Sequence, residues 1–346
     1  MSGATVLPWM PDDVKEAIRK LKSLHDGDIG VVETIACGKR AIPSLSAVLF
    51  AREPSGLYET RRRAVEALAA LGAHDVLREF LCTPRDISDP VELTGEEAVI
   101  NAAARALGKL GDRGDLPFLL SLLREKPLAG VIEAVGRFRC IESLPLFIEA
   151  LAEDFYRPAA EAAIRMLGTK ARADLMQAAT DHRLAFGRET GASILRRRSA
   201  LALLREIGLP RKWPWRAFPA LLQDCDPTIA VLACGLSLDL ASAPRALKHE
   251  AVRRLIALLP VADGLLSAEI EDRLTGHFAA AKSLVVDAIS AERRVQPEPR
   301  DWPDHRVLTA LLRVEARAGG CANFDHRDPT TTNHQILKGN GQDEKR

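Results

Sequence analysis

The stretch ALGKLGDRGDLPFLLSLL (106–123) returns in altered form as AVGRFRCIESLPLFIEAL (134–151). Related copies lie on either side: IACGKRAIPSLSAVL (35–49), ALAALGAHDVLREFL (67–81) and AIRMLGTKARADLMQAA (163–179). Each reads as a short Ala/Leu helix, a tight turn often marked by glycine, and an aliphatic second helix. Pro117 and Pro145 are 28 residues apart, Ala134 and Ala163 are 29 apart, and Pro43 takes the same place in the earliest copy. Proline suits the first turn of a helix, where the backbone N–H has no intrahelical partner to lose. Gly72, Gly111 and Gly168 fall just past the first helix, where a left-handed cap favours glycine. Alanine on the inner face lets backbones approach closely, while leucine or isoleucine fills the seam; Leu110 and Leu167 are expected in that seam. One such pair cannot cover its own apolar stripe, so successive pairs must stack. The predicted fold is all-α, a right-handed α-solenoid of stacked antiparallel helix pairs.

Working outward, the sequence divides into an N-terminal capping helix (1–27), regular repeats (28–180) and divergent helical repeats (181–291). A linker with a terminal amphipathic helix (292–318) and a polar tail (319–346), read as disordered, complete it. Polar inserts, TPRDISDPVELTG (83–95) and FGRETGAS (186–193), lengthen the unit where they intrude. The terminal segment HRVLTALLRVEARA (305–318) has an apolar face and is expected to dock on the body.

The 346 residues include 47% hydrophobic and 27% charged side chains, which excludes wholesale disorder. No run approaches the length of uncharged apolar sequence a membrane helix needs, and the N-terminus carries no export pattern. Formal charge is +1, so there is no global attraction to nucleic acid or acidic membranes. Cysteines at 37, 82, 140, 225, 234 and 321 show no metal-clip or redox spacing. They read as small buried thiols, and a cytoplasmic, reducing compartment is expected.

The stretches RRRAVEALAALGAHDVL (61–77) and INAAARALGKLGDRGDL (100–116) resemble HEAT repeats of the short bacterial type associated with phycobilin lyases. The resemblance is good over about 28–180 and looser beyond. It implies a HEAT-like solenoid and several functions. Di-iron hydroxylases of this type carry several His-Glu pairs, whereas this chain has one, His249-Glu250, so no metal site is expected. A base-excision branch implies tryptophans along one helix face, yet Trp9, Trp213, Trp215 and Trp302 all lie beside prolines. The lyase branch implies work on an open-chain tetrapyrrole, as enzyme or chaperone subunit. Cys140, in a turn beside Arg137 and Arg139, is the thiol to weigh.

No catalytic constellation, phosphate loop or dinucleotide fingerprint appears, and no cofactor is expected. The expected function is a non-enzymatic scaffold or adaptor that binds another protein, with Arg78, Glu79, Arg124, Glu125, Glu149 and Glu153 lining its surface. The insert KWPWRAFPALL (212–222) adds Trp213, Trp215 and Phe218, as a binding hot spot or as a plug over a hydrophobic layer. The basic runs Arg61–Arg63 and Arg196–Arg198 read as structural or solvated arginines; Arg62 aligns with Arg198, where the family pattern implies an arginine that bonds between layers or lies along them.

Overall fold

The computed structural model describes residues 14–51, 58–83, 86–210, 213, 215–295 and 306–322. Among them the chain is all-α, apart from one hairpin in which Leu184–Ala185 pairs antiparallel with Arg188–Glu189. It separates into two compact units between Leu209 and Pro210.

The first unit is built from short helices in alternation: α1 (Val14–Lys22), α2 (Gly27–Ala36), α3 (Ile42–Phe50), α4 (Glu59–Ala70), α5 (His74–Cys82) and α6 (Pro90–Leu110). There follow α7 (Leu116–Glu125), α8 (Ala129–Arg137), α9 (Leu144–Ala150), α10 (Arg157–Leu167), α11 (Arg172–Thr180) and α12 (Gly191–Ile207). The even-numbered helices form a ladder: α2 packs on α4, α4 on α6, α6 on α8, α8 on α10 and α10 on α12. Each odd-numbered helix from α3 to α11 packs on the even-numbered helix that follows it. A repeat boundary expected after residue 180 therefore falls inside this unit, because α12 covers α11 and α10.

Local sequence explains the turns. Gly72, Gly111 and Gly168 have φ of +67°, +77° and +61°, values a side chain with a Cβ resists. Short 3-10 turns then lead into α3, α7 and α9, with Pro43, Pro117 and Pro145 at their first positions. The ladder is close where residues are small. A Cβ on Gly108 would lie 2.6 Å from the Ala134 Cα, and one on Gly136 would lie 2.7 Å from the Ala163 Cβ. Leu107, Ala134, Ala163 and Leu167 are buried there. Leu110 is not: it is more than a third exposed at the last turn of α6, so Leu107 holds the seam position expected of it. The expected polar insert 83–95 is also shorter than the sequence reading implies. The Asp89 carboxylate caps the Val91 and Glu92 N–H groups, and Pro90 starts a 21-residue helix inside it.

The second unit contains α13 (Phe218–Leu222), α14 (Pro227–Asp239), α15 (Arg245–Leu258), α16 (Gly264–Gly276), α17 (Phe278–Val295) and α18 (Arg306–Ala322). Again helices pack on the next and next-but-one: α14 on α15 and α16, α15 on α17, and α16 and α17 on α18. Ala310, Leu311 and Val314 are buried, so the terminal amphipathic helix is docked within its unit. Arg313 and Arg317 tie it to Glu271 and Asp272 of α16 at 3.3 and 2.6 Å. α18 runs into the expected tail as far as Ala322; residues 323–346 and most of the expected linker lie outside the described residues. No described helix is long and apolar enough to cross a membrane.

Candidate functional site

The polar insert between α11 and α12 folds as a braced hairpin. Phe186 and Gly187 form its tip with φ of +53° and +77°. A bulky side chain at positive φ is a backbone outlier, and here its ring is fully exposed. The base is held by two buried arginines at the start of α12. Arg197 donates through Nε to the Ala179 carbonyl at 2.9 Å and through Nη1 to Glu189 at 2.8 Å. Arg196 donates to both the carbonyl and the carboxylate of Asp181 at 2.8 Å. The Ser193 hydroxyl donates to Glu189 at 2.7 Å, and the Thr190 hydroxyl accepts from the Ser193 N–H, capping α12. Arg183 makes a two-pronged pair with Glu149 at the end of α9, which fastens the hairpin to the neighbouring layer.

These bonds set the charge states. Hydrogen bonds from Arg183 hold Glu149 below the usual carboxylate range, and those from Arg196 do the same for Asp181. Burial pushes Glu189 up, but bonds from Ser193 and Arg197 outweigh it and its carboxyl is also lowered. A second exposed aromatic, Phe155, lies in the turn after α9 and is 90% exposed. Two aromatic rings thus follow the ends of neighbouring helices α9 and α11.

All six polar residues expected to line a binding surface are exposed, and five lie on α5, α7 and α9, with Glu153 just beyond α9. Two are drawn to neighbouring layers: Glu149 to Arg183 and Arg196, and Arg78 to Asp115 at 3.6 Å. No ion pair joins the six to one another among the described residues. The aromatic loop is different. Phe218 is fully buried, which corrects its placement on a binding surface, and the Trp215 ring sits 4.8 Å from it, centroid to centroid. Trp213 is partly buried, and its Nε1 is hidden without a hydrogen-bond partner.

The turn end of α6 and α8 forms a groove of about 590 Å³ lined by Arg113, Arg137, Arg139, Lys170 and Cys140, among others. The Cys140 thiol donates to Glu142 at 2.9 Å, and burial, reinforced by that bond, pushes its pKa up. The flanking arginines therefore do not make it a ready nucleophile. Among the described residues His249 and Glu250 join no group of three metal-ligating side chains, and Glu250 accepts from Gln223 at 3.0 Å. Arg61, Arg63, Arg196 and Arg197 donate to backbone carbonyls or carboxylates of adjoining segments, whereas Arg62, the position expected to bond between layers or lie along them, pairs with Glu59 of its own helix.

One described cluster has the donor set for a metal: His74, Asp112 and Asp115, whose ligand atoms lie within 4.8 Å of one another. The Asp115 carboxylate, 2.7 Å from Nε2, raises the His74 pKa, and Asp75 adds to the effect. His74 opens α5, whereas the aspartates flank the 3-10 turn Arg113–Asp115. They are 38 and 41 residues from it, so only the folded turn-on-turn arrangement unites them.

Comparison with known families and with characterised proteins gives no match.

Proposed function

We propose that the chain is a non-enzymatic helical scaffold that binds another protein, and that the hairpin carrying Phe186 is part of the surface it offers. The helical pairs are read as HEAT-like layers, and the cytoplasm, where unpaired thiols persist, as the place of work. The observation that carries the reading is a fully exposed aromatic held at positive φ by a network of buried arginines. Backbone strain of about 1–3 kcal/mol and an apolar ring left in water both oppose this arrangement in the isolated protein. A partner pocket that receives the ring recovers the apolar part, and rigid aromatics are the usual anchors of such interfaces. Phe155 and the Glu149–Arg183 pair extend the same edge with an apolar and a charged contact.

A photoreactive residue at position 186 tests the proposal in the native host. It should crosslink one protein, whereas the same residue at Lys22, exposed on α1 and outside the expected binding surface, should not. Absence of any crosslinked partner at 186, or equal labelling from both positions, would remove the reading.

A bilin lyase-like enzyme or chaperone subunit is a second reading. The basic groove beside Cys140 supports it as a place for an anionic ligand. Its thiol, bonded to Glu142 and raised in pKa, gives no support to covalent chemistry.

A further inference from the structure

We propose that His74, Asp112 and Asp115 bind one divalent ion of the zinc type, which staples the start of α5 to the turn between α6 and α7. This inference is independent of partner binding.

The imidazole of His74 lies between carboxylates on both sides. Nδ1 faces the Asp75 carboxylate at 3.3 Å, and Nε2 faces Asp115 at 2.7 Å and Asp112 at 3.8 Å. A neutral ring has one N–H, so it satisfies one side and turns a lone pair toward a carboxylate on the other. When that N–H is on Nδ1, facing Asp75, the Nε2 lone pair faces Asp115 and Asp112, and a proton or a metal cation can lie between them. A proton bonds to one oxygen; a metal takes the ring nitrogen and both aspartates together. With Asp75 orienting Nδ1–H, the ring presents Nε2 as ligand, the usual outer-shell arrangement of a metal-bound histidine.

Asp115 supplies a second, separate observation. Its side chain is fully buried, yet Oδ1 accepts no hydrogen bond. A buried carboxylate oxygen without a donor is costly unless a cation compensates it. The nearest cation is Arg78, with Nη1 at 3.6 Å from Oδ1.

The geometry also fits. Zinc bonds of about 2.0–2.2 Å in tetrahedral array place ligand atoms roughly 3.3 Å apart. The two Nε2-to-oxygen separations of 2.7 and 3.8 Å straddle that value, and all three ligand atoms lie within 4.8 Å of one another. Asp112 is already fixed, since its Oδ1 accepts from the Gly114 N–H at 2.8 Å, which leaves Oδ2 for a metal. Its exposure gives the ion an entry path and a solvent-facing fourth position. An imidazole with two carboxylates favours zinc-type ions over magnesium or calcium, which prefer oxygen alone.

The test uses the full chain, stripped with a chelator and titrated with ZnCl2 against a chromophoric zinc indicator. One zinc per chain is expected, with His74→Gln and Asp115→Asn abolishing it and Asp112→Asn weakening it by roughly tenfold or more. His182→Gln, in the hairpin, should leave affinity unchanged. Cobalt loaded in place of zinc should show no thiolate-to-metal charge-transfer band. Asp112 is largely exposed and Asn keeps its Oδ1 acceptor, so Asp112→Asn remains informative if the buried variants fail to fold. No zinc uptake, unchanged affinity in Asp112→Asn or in a folded His74→Gln, or a thiolate band assigning the ion to cysteines, overturns the proposal.

Discussion

Arg197 and Arg62 are both arginines near the start of an even-numbered helix, and their surroundings give them unequal weight. Arg197 is fully buried and bonds a backbone carbonyl and a carboxylate from the two ends of the hairpin insert. Arg62 is only partly buried and pairs with Glu59, three residues before it on the same helix. Removing one partner of a buried pair leaves the other uncompensated. Arg197→Ala should therefore destabilise the protein by about 3–5 kcal/mol, whereas Arg62→Ala should cost no more than about 1 kcal/mol; denaturant midpoints compare the two directly. The carboxylates of this network make a pH prediction. Glu149, Asp181 and Glu189 have folded pKa values below their usual ones, so their stabilising contribution is present above the usual carboxylate range and is lost as pH falls through the folded values. The stability gap between wild type and Glu189→Gln should be open at pH 7 and close below about pH 4; a gap independent of pH would count against the network.

At the scale of helices, approach distance decides stability. Gly108 faces Ala134 across the ladder so closely that a methyl group would meet backbone. Gly108→Ala gains about 1 kcal/mol of helix propensity but incurs overpacking of about 1–3 kcal/mol. A net fall in melting temperature is expected, while Gly191→Ala, at the open start of α12, should leave it unchanged. Much of this level was legible in the sequence. The spacings of Pro117 to Pro145 and of Ala134 to Ala163 recur as equivalent places in the ladder, because each pair repeats the same turn and contact. What escaped was position within a turn. Leu110 looks like a seam leucine by periodicity, but the helix ends at that residue and its side chain lies at the rim. Phe218 looks like a loop aromatic beside prolines, yet it is the first residue of α13 and its side chain is buried. His74, Asp112 and Asp115 carry no local signature, since a cluster assembled from two stacked turns has no spacing in sequence to betray it. Phe186 sat in view within FGRETGAS, and the Phe-Gly pair in a polar insert was the available signal of an exposed tip.

For the whole molecule, the first unit combines two physical tendencies. The even-numbered helices pack on one another in sequence, and the hairpin insert leaves the packing of α10 on α12 uninterrupted. Function in such a body belongs to what projects, because the packed faces are already used. Phe186 is the clearest case, contributing exposed aromatic surface and no buried contact to its own chain. Its removal should accordingly leave the fold untouched and alter only what the protein holds. The most direct measurement is retention of the native partner by Phe186→Ala, with melting temperature recorded on the same preparation. Loss of the partner at an unchanged melting temperature is the predicted result; a partner retained at wild-type level would contradict it.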